Sequence, residues 1–331
     1  MSSDLVIVYH RQPYEEVEVD GKIEYHANKS PNGIVPTLKS FFGKVDNGAW
    51  VAWKEAEDTS DPGFERVVRI EDTFGKYTVS RLPLTAAQVK SFYHVTSKEA
   101  FWPILHGFKE KYNYDPVDWP TFKEVNWAFA EAAASEAAEG ASVWVHDYNL
   151  WLVPGYLRQM RPDVRISFYH HTPFPAADMF NVLPWRGEII DSLLCCDVVG
   201  FHIPRYASNF VSCVRSLRDV GNVPRIKVEN DMMSEGSALS DRTVPTEIHT
   251  DERVVQLGVT PVGVDVEYIK SLAALDETDK LSARFREEIG DTRVLLSVGR
   301  TDYPKGGADQ LLAFERLLER RPDLRGIVRL L

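Results

Sequence analysis

The fold is decided between residues 142 and 202, which carry SVWVHDYNL (Ser142–Leu150), ISFYHHTPFP (Ile166–Pro175), DMFNVLPWRGEII (Asp178–Ile190) and CDVVGFH (Cys196–His202). Three short runs rich in Val, Ile and Phe each end in histidine: Val143–His146, Ile166–His171 and Val198–His202. Helical patterns separate them, which predicts successive βα units of a parallel sheet. Ligands of such sheets bind outside the carboxyl ends of the strands. Three titratable strand ends therefore predict the floor of one active site.

Upstream, LVIVY (Leu5–Tyr9) predicts a buried strand delivering His10 and Arg11. EEVEVDGKIEYHA alternates about Asp20-Gly21, the signature of a hairpin with a type I′ turn. SPNGIVPTLKSFF offers Ser30 and Asn32 as caps and Gly33 as a point of close approach before a helix over 34–42. Such an entry suits an anion, and an ordinary loop-to-helix entry has the same appearance. Trp50–Lys54 and Arg66–Ile70 predict strands, and Thr85–Tyr93 and Glu99–Phe108 predict two helices. By spacing alone, Tyr93 and Trp102 read as core aromatics. Pro120–Glu139 predicts a long helix closed by Gly140.

Downstream, Pro204–Leu217 predicts an amphipathic helix, and the polar stretch Val228–Glu252 a surface excursion. Val254–Val262 returns to a strand pattern ending in Gly263-Val264-Asp265. Helices near Val266–Ala274 and Thr278–Gly290, a strand at Arg293–Val298 and a helix at Ala308–Glu319 follow. The expected class is α/β with two Rossmann-like parallel-sheet domains, 1–250 and 251–331. The closing GIVRLL reads as a strand with no covering helix after it, so a piece of a longer protein is expected, its second domain incomplete.

The 331 residues are 44% hydrophobic and 26% charged, as in soluble globular proteins. A net charge of -11 argues against nucleic acid as a partner. No apolar run approaches the ~20 residues of a membrane span. Three cysteines, Cys195 and Cys196 adjacent, argue for a reducing cytoplasm rather than a disulfide framework. A homo-oligomer is left open.

GRTDYPKGG (Gly299–Gly307) falls on a strand-to-helix turn, where amides and dipole favour anions, and Arg300 and Lys305 add charge. A diphosphate site and a solvated basic turn both fit. His146-Asp147 and His170-His171 stand apart from His26, His106 and His249 because they close predicted strands. A metal is the rival use of these residue types, but no HExxH or CxxC spacing occurs, and no GxSxG elbow supports a hydrolase.

Taken together, HDYNL, HHTPFP, LPWR (Leu183–Arg186), GFH, RTDYPKG and FYHVTSKEAFWP (Phe92–Pro103) give the whole chain a resemblance to retaining GT-B glycosyltransferases of the trehalose-6-phosphate synthase type. VIVYHRQPYEE and SPNGIVPTLKSFF look most like the glucosylglycerol-phosphate synthase branch. The resemblance implies an N-terminal acceptor domain and a C-terminal nucleotide-sugar domain. It implies transfer of glucose from ADP-glucose to sn-glycerol 3-phosphate without metal or other cofactor, the alternatives being trehalose-6-phosphate synthase and a non-catalytic sugar-phosphate-binding module. Arg11 would hold the acceptor phosphate, Gly33 would approach the donor, and Tyr93 and Trp102 would line the acceptor pocket. Asp147 would bind sugar hydroxyls, His171 would sit beside the transferring glucose, and Arg300 and Lys305 would neutralise the leaving diphosphate. His146, His170 and His202 would support. Two departures, Asn149 where the family has the second His of HDYH and Asn32-Gly33 where it has paired glycines, would lie near the substrates. The chain by itself is expected to be inactive.

Overall fold

In the computed structural model, LVIV forms the carboxyl-terminal part of β1 (Ser3–Val8), and β1 lies inside the main sheet rather than at its edge. The structure describes residues 2–26, 34–228, 241–263 and 266–331. Ser30, Asn32, Gly33, Val264, Asp265 and residues 229–240 of the polar excursion lie outside the described residues.

After β1 come the hairpin strands β2 (Glu15–Val19) and β3 (Lys22–His26), then helix α1 (Ile34–Lys39). Asp20 and Gly21 hold positive φ angles of 52° and 75°, the type I′ turn predicted from the sequence. Strands β4 (Gly48–Glu55), β5 (Val67–Asp72) and β6 (Gly75–Leu84) extend the sheet on one side of β1. A continuous helical segment follows: α2 (Ala86–Val89), a π-helical stretch (Lys90–Phe101) and α3 (Trp102–Leu105). Two separate helices were expected there. The wide turn lets one helix absorb the break between them.

Helix α4 (Trp119–Glu136) ends earlier than expected, and β7 begins at once (Ala137–His146). Arg161 explains the stop: its guanidinium donates to the carbonyls of Ala134, Ala137 and Ala138 at 2.8–2.9 Å, taking acceptors that a further helical turn would use. Gly140 does not close a helix. With φ of 68° it sits inside β7, where the pairing with β1 shifts register.

Helix α5 (Val153–Met160), β8 (Arg165–His170), α6 (Ala177–Phe180), α7 (Arg186–Leu193), β9 (Val198–Phe201) and α8 (Pro204–Leu217) complete the central units. A small ladder of β10 (Arg225–Lys227) and β11 (Thr243–Pro245) precedes β12 (Glu247–His249) and β13 (Val254–Val259). Among the described residues, nine strands form one sheet in the order β12-β13-β9-β8-β7-β1-β4-β6-β5. Its neighbours run parallel except β12 on β13 and β5 on β6. Alternation along β1 separates two cores: Val6 and Val8 pack with the helices α4 to α8, while Ile7 and Tyr9 pack with Val35, Leu38 and Trp50 on the other face. Each fully buried Val or Ile contributes roughly 1.5–3 kcal/mol.

The chain divides into compact units at Met1–Pro261 and Val262–Leu331. The division falls later than the expected boundary after residue 250 because β13 pairs with β9 and belongs to the first sheet. The second unit holds α9 (Val266–Ala273), α10 (Asp276–Ile289), β14 (Arg293–Leu295), α11 (Gly307–Arg320) and β15 (Val328–Leu330), with β14 and β15 parallel. Among the described residues, no helix is long and apolar enough to cross a membrane.

Candidate functional site

Strand order reverses between β1 and β7. From β1 the chain builds outward through β4 and β6; beyond β7 it builds the other way through β8 and β9. The loops leaving adjacent strands at such a switch point diverge and open a crevice at their carboxyl ends. His10 and Arg11 leave β1, Asp147 leaves β7, His171 leaves β8 and His202 leaves β9. The strand ends singled out by sequence therefore meet.

Asp147 is the most constrained of them. Its φ of 69° and ψ of 166° lie where side chains rarely go, a strain that persists where surrounding contacts enforce it. Its amide donates to the Tyr169 carbonyl at 2.9 Å, and its Oδ1 accepts from the amides of His171 (3.2 Å) and Thr172 (3.4 Å). Burial pushes the carboxyl up to about 6, against these hydrogen bonds, which favour the ionised form. Beside it, the His146 and His171 rings share a hydrogen bond at 3.1 Å. Burial lowers both, His171 to about 3, so the pair is neutral at physiological pH. The Tyr169 hydroxyl donates to the Thr260 carbonyl and meets His202 Nδ1 at 3.2 Å. Asn149 is buried, its carbonyl held by Asn126 at 3.2 Å.

On the β1 side, Arg11 donates to the Tyr93 hydroxyl at 2.8 Å and to His10 Nε2 at 3.3 Å, and its own carbonyl accepts from Trp50 Nε1 at 2.8 Å. The His10 ring stacks on Tyr93 at 5.4 Å. A cleft of about 480 Å³ opens here, lined by His10, Arg11, Gln12, Trp53, Tyr93 and His94 among others. Glu16 also lines it, but Lys54 (2.6 Å) and Arg81 (2.7 Å) already hold that carboxylate. Arg11 thus remains the charge facing this space from β1. Trp102 is more deeply set than its expected pocket-lining role: it is 8% exposed, its ring lies 6.0 Å from Tyr148, and Lys98 Nζ stands 4.0 Å from its centroid.

The structure therefore joins Arg11 with Tyr93, and Asp147 with His171, at the carboxyl ends of the neighbouring strands β1, β7 and β8. Gly33 lies outside the described residues. Arg300 and Lys305 belong to the second unit, where Tyr303–Lys305 forms a 3₁₀ turn and Gly306, at φ 66°, leads into α11. Arg300 lies 4.0 Å from Asp302, and the Lys305 carbonyl accepts from Gln310. Sequence reasoning did not single out Gln12 and Trp53, which line the cleft, or Lys98, which stands over Tyr93 and Trp102. Lys98 stood within the quoted FYHVTSKEAFWP, but its place beside Tyr93 depends on a π-turn that helical periodicity does not reveal. Among the described residues, no group of three His, Cys, Asp or Glu side chains is placed to hold a metal ion.

The model of glycosyltransferase family 20 matches residues 3–331. Glucosylglycerol-phosphate synthase of Synechocystis sp. is 48% identical over 330 residues, covering 100% of this chain and 66% of that protein. Trehalose-6-phosphate synthase of Mycolicibacterium gilvum is 38% identical over 320 residues, 96% of this chain and 60% of its own length. A solved structure described as trehalose-6-phosphate from E. coli bound with UDP-2-fluoro glucose superposes with a TM-score of 0.78 at 24% identity, over 98% of this chain and 63% of that one. An α,α-trehalose-phosphate synthase from Burkholderia xenovorans in complex with glucose-6-phosphate gives 0.77 at 23% identity, over 99% and 65%. These structures support the fold, and with it the expected GT-B class. The chain spans about two thirds of the length of the relatives it matches.

Proposed function

The chain belongs to glycosyltransferase family 20, and we propose that it forms the acceptor side of a retaining glucosyltransferase that moves glucose from ADP-glucose to sn-glycerol 3-phosphate. The product, glucosylglycerol phosphate, would serve compatible-solute synthesis. The observation that carries the acceptor is the higher identity to glucosylglycerol-phosphate synthase, 48% against 38% for trehalose-6-phosphate synthase. Geometry supports it: Arg11 brings a guanidinium to a cleft whose lining carboxylate, Glu16, is already paired, which suits a phosphorylated acceptor.

In this reading Asp147 accepts hydrogen bonds from glucose hydroxyls, and neutral His171 lies beside the transferring sugar without repelling the developing positive charge. The bond from the anomeric carbon to the diphosphate oxygen breaks, and a bond to the acceptor oxygen forms on the same face. The acceptor hydroxyl proton passes to the departing diphosphate. Arg300 and Lys305 stabilise the charge that collects there.

The test is a matrix of ADP-glucose or UDP-glucose against glycerol 3-phosphate or glucose 6-phosphate, using a chain of the relatives' full length. Product from ADP-glucose and glycerol 3-phosphate is expected. Product with glucose 6-phosphate alone would replace this reading by trehalose-6-phosphate synthesis. No product in any cell would favour a binding module.

A further inference from the structure

The π-helical stretch Lys90–Phe101 has the least ordinary backbone near the crevice. Such turns are energetically poorer than α-turns and recur at functional sites. In an α-helix, residues five apart diverge by about 140° around the axis. Here the wider turn draws them together: Lys98 Nζ lies 5.6 Å from the Tyr93 centroid and 4.0 Å from that of Trp102. Ser97 Oγ donates to the Phe92 carbonyl, also five residues back, at 2.8 Å, and fixes the widened turn from its buried side. Arg11 approaches the same tyrosine from β1, hydrogen-bonded at 2.8 Å with its guanidinium carbon 5.8 Å from the ring centroid. Two cations from distant parts of the sequence thus converge on one ring.

We propose that Lys98 determines acceptor specificity by gripping, together with Arg11, the phosphate of the acceptor. This rests on the proposed function only in that the acceptor carries a phosphate. A three-carbon polyol phosphate offers fewer hydroxyls than a hexose phosphate, so more of its recognition falls on the phosphate. The guanidinium fork can take two oxygens while an ammonium supplies a point charge to the third. Both cations already act on one neighbour: after burial, the charges of Arg11, Lys98 and His171 lower the pKa of His10 and keep its ring neutral.

Calorimetric titration of the chain with glycerol 3-phosphate, inorganic phosphate and glycerol tests this. Lys98→Met and Lys98→Gln are expected to weaken binding of both phosphates by about tenfold or more, with thermal unfolding unchanged. Lys98→Arg should restore most of the affinity. Unchanged phosphate affinity in a folded Lys98→Met or Lys98→Gln protein overturns the role of Lys98. So does equal weakening in Lys98→Arg together with a lower melting temperature, which would mark a packing role against Trp102. A wild-type chain that binds neither phosphate would overturn the phosphorylated-acceptor reading, and this inference with it. Glucosyl transfer does not enter the readout.

Discussion

Asp147 combines two unfavourable features, a backbone angle suited to glycine and a carboxyl held out of water. The first costs on the order of 1–3 kcal/mol. The second follows from a carboxyl displaced from 3.8 to about 6 by burial, which corresponds to roughly 3 kcal/mol when it is ionised. Because the folded-state value is raised, this penalty is absent below about pH 4, grows as pH rises towards 6 and is constant above it. Asp147→Asn should therefore raise the melting temperature at pH 8 and leave it nearly unchanged at pH 4. A variant less stable than wild type at pH 8 would show that the carboxylate is better solvated or better bonded than its surroundings indicate. Asp147 was legible in the sequence because a charged residue follows an apolar run that could only be a strand. Lys98 was not, since its angular position depends on how many residues its helical turn contains.

Strand β9 shows how closely the elements that carry the site are packed. Gly200 pairs with Tyr169 in β8, and a Cβ at Gly200 would lie 2.7 Å from the tyrosine ring. Hydrogen bonding of its hydroxyl to Thr260 and His202, and contact of its ring with His171 at 4.6 Å, limit how far Tyr169 can yield. Gly200→Ala is expected to destabilise by about 1–3 kcal/mol in urea denaturation. An unchanged midpoint would mean that the ring swings aside. Elements whose apolar pattern matched their burial, such as β1, β8 and α8, were readable. Strand β6 was not singled out: GKYTVSRLPL carries Lys76, Arg81 and Pro83, which blur its apolar pattern. Arg81 is nevertheless 4% exposed, tied to the half-buried Glu16 and to the Glu65 carbonyl, so a buried, paired cation stands where the pattern would put an apolar residue. The alanines at the start of β7 misled in the opposite sense, favouring helix until Arg161 took the terminal carbonyls.

Across the whole molecule, the proposed function would divide the chemical labour between the two units, with acceptor-side residues in one and the cations for the leaving group in the other. Lys305→Ala, assayed in a chain of the relatives' full length, should lower turnover by roughly 10²–10³, the effect of removing one preorganised charge contact in comparable sites. Near-normal turnover would remove Lys305 from the chemistry. The central placement of β1 also governs how the site comes into being during synthesis. Val6, Ile7 and Val8 are made well before one of their flanking strands, β7, which is not complete until His146. Contacts so distant in sequence slow folding, because a long loop must close before they are gained. Until the ribosome has delivered β7, one edge of β1 stays open, and a nascent chain halted before that point presents a sticky apolar strand to its neighbours. The meeting of Arg11 and Asp147 is therefore a late product of folding, although Arg11 is translated long before its partner.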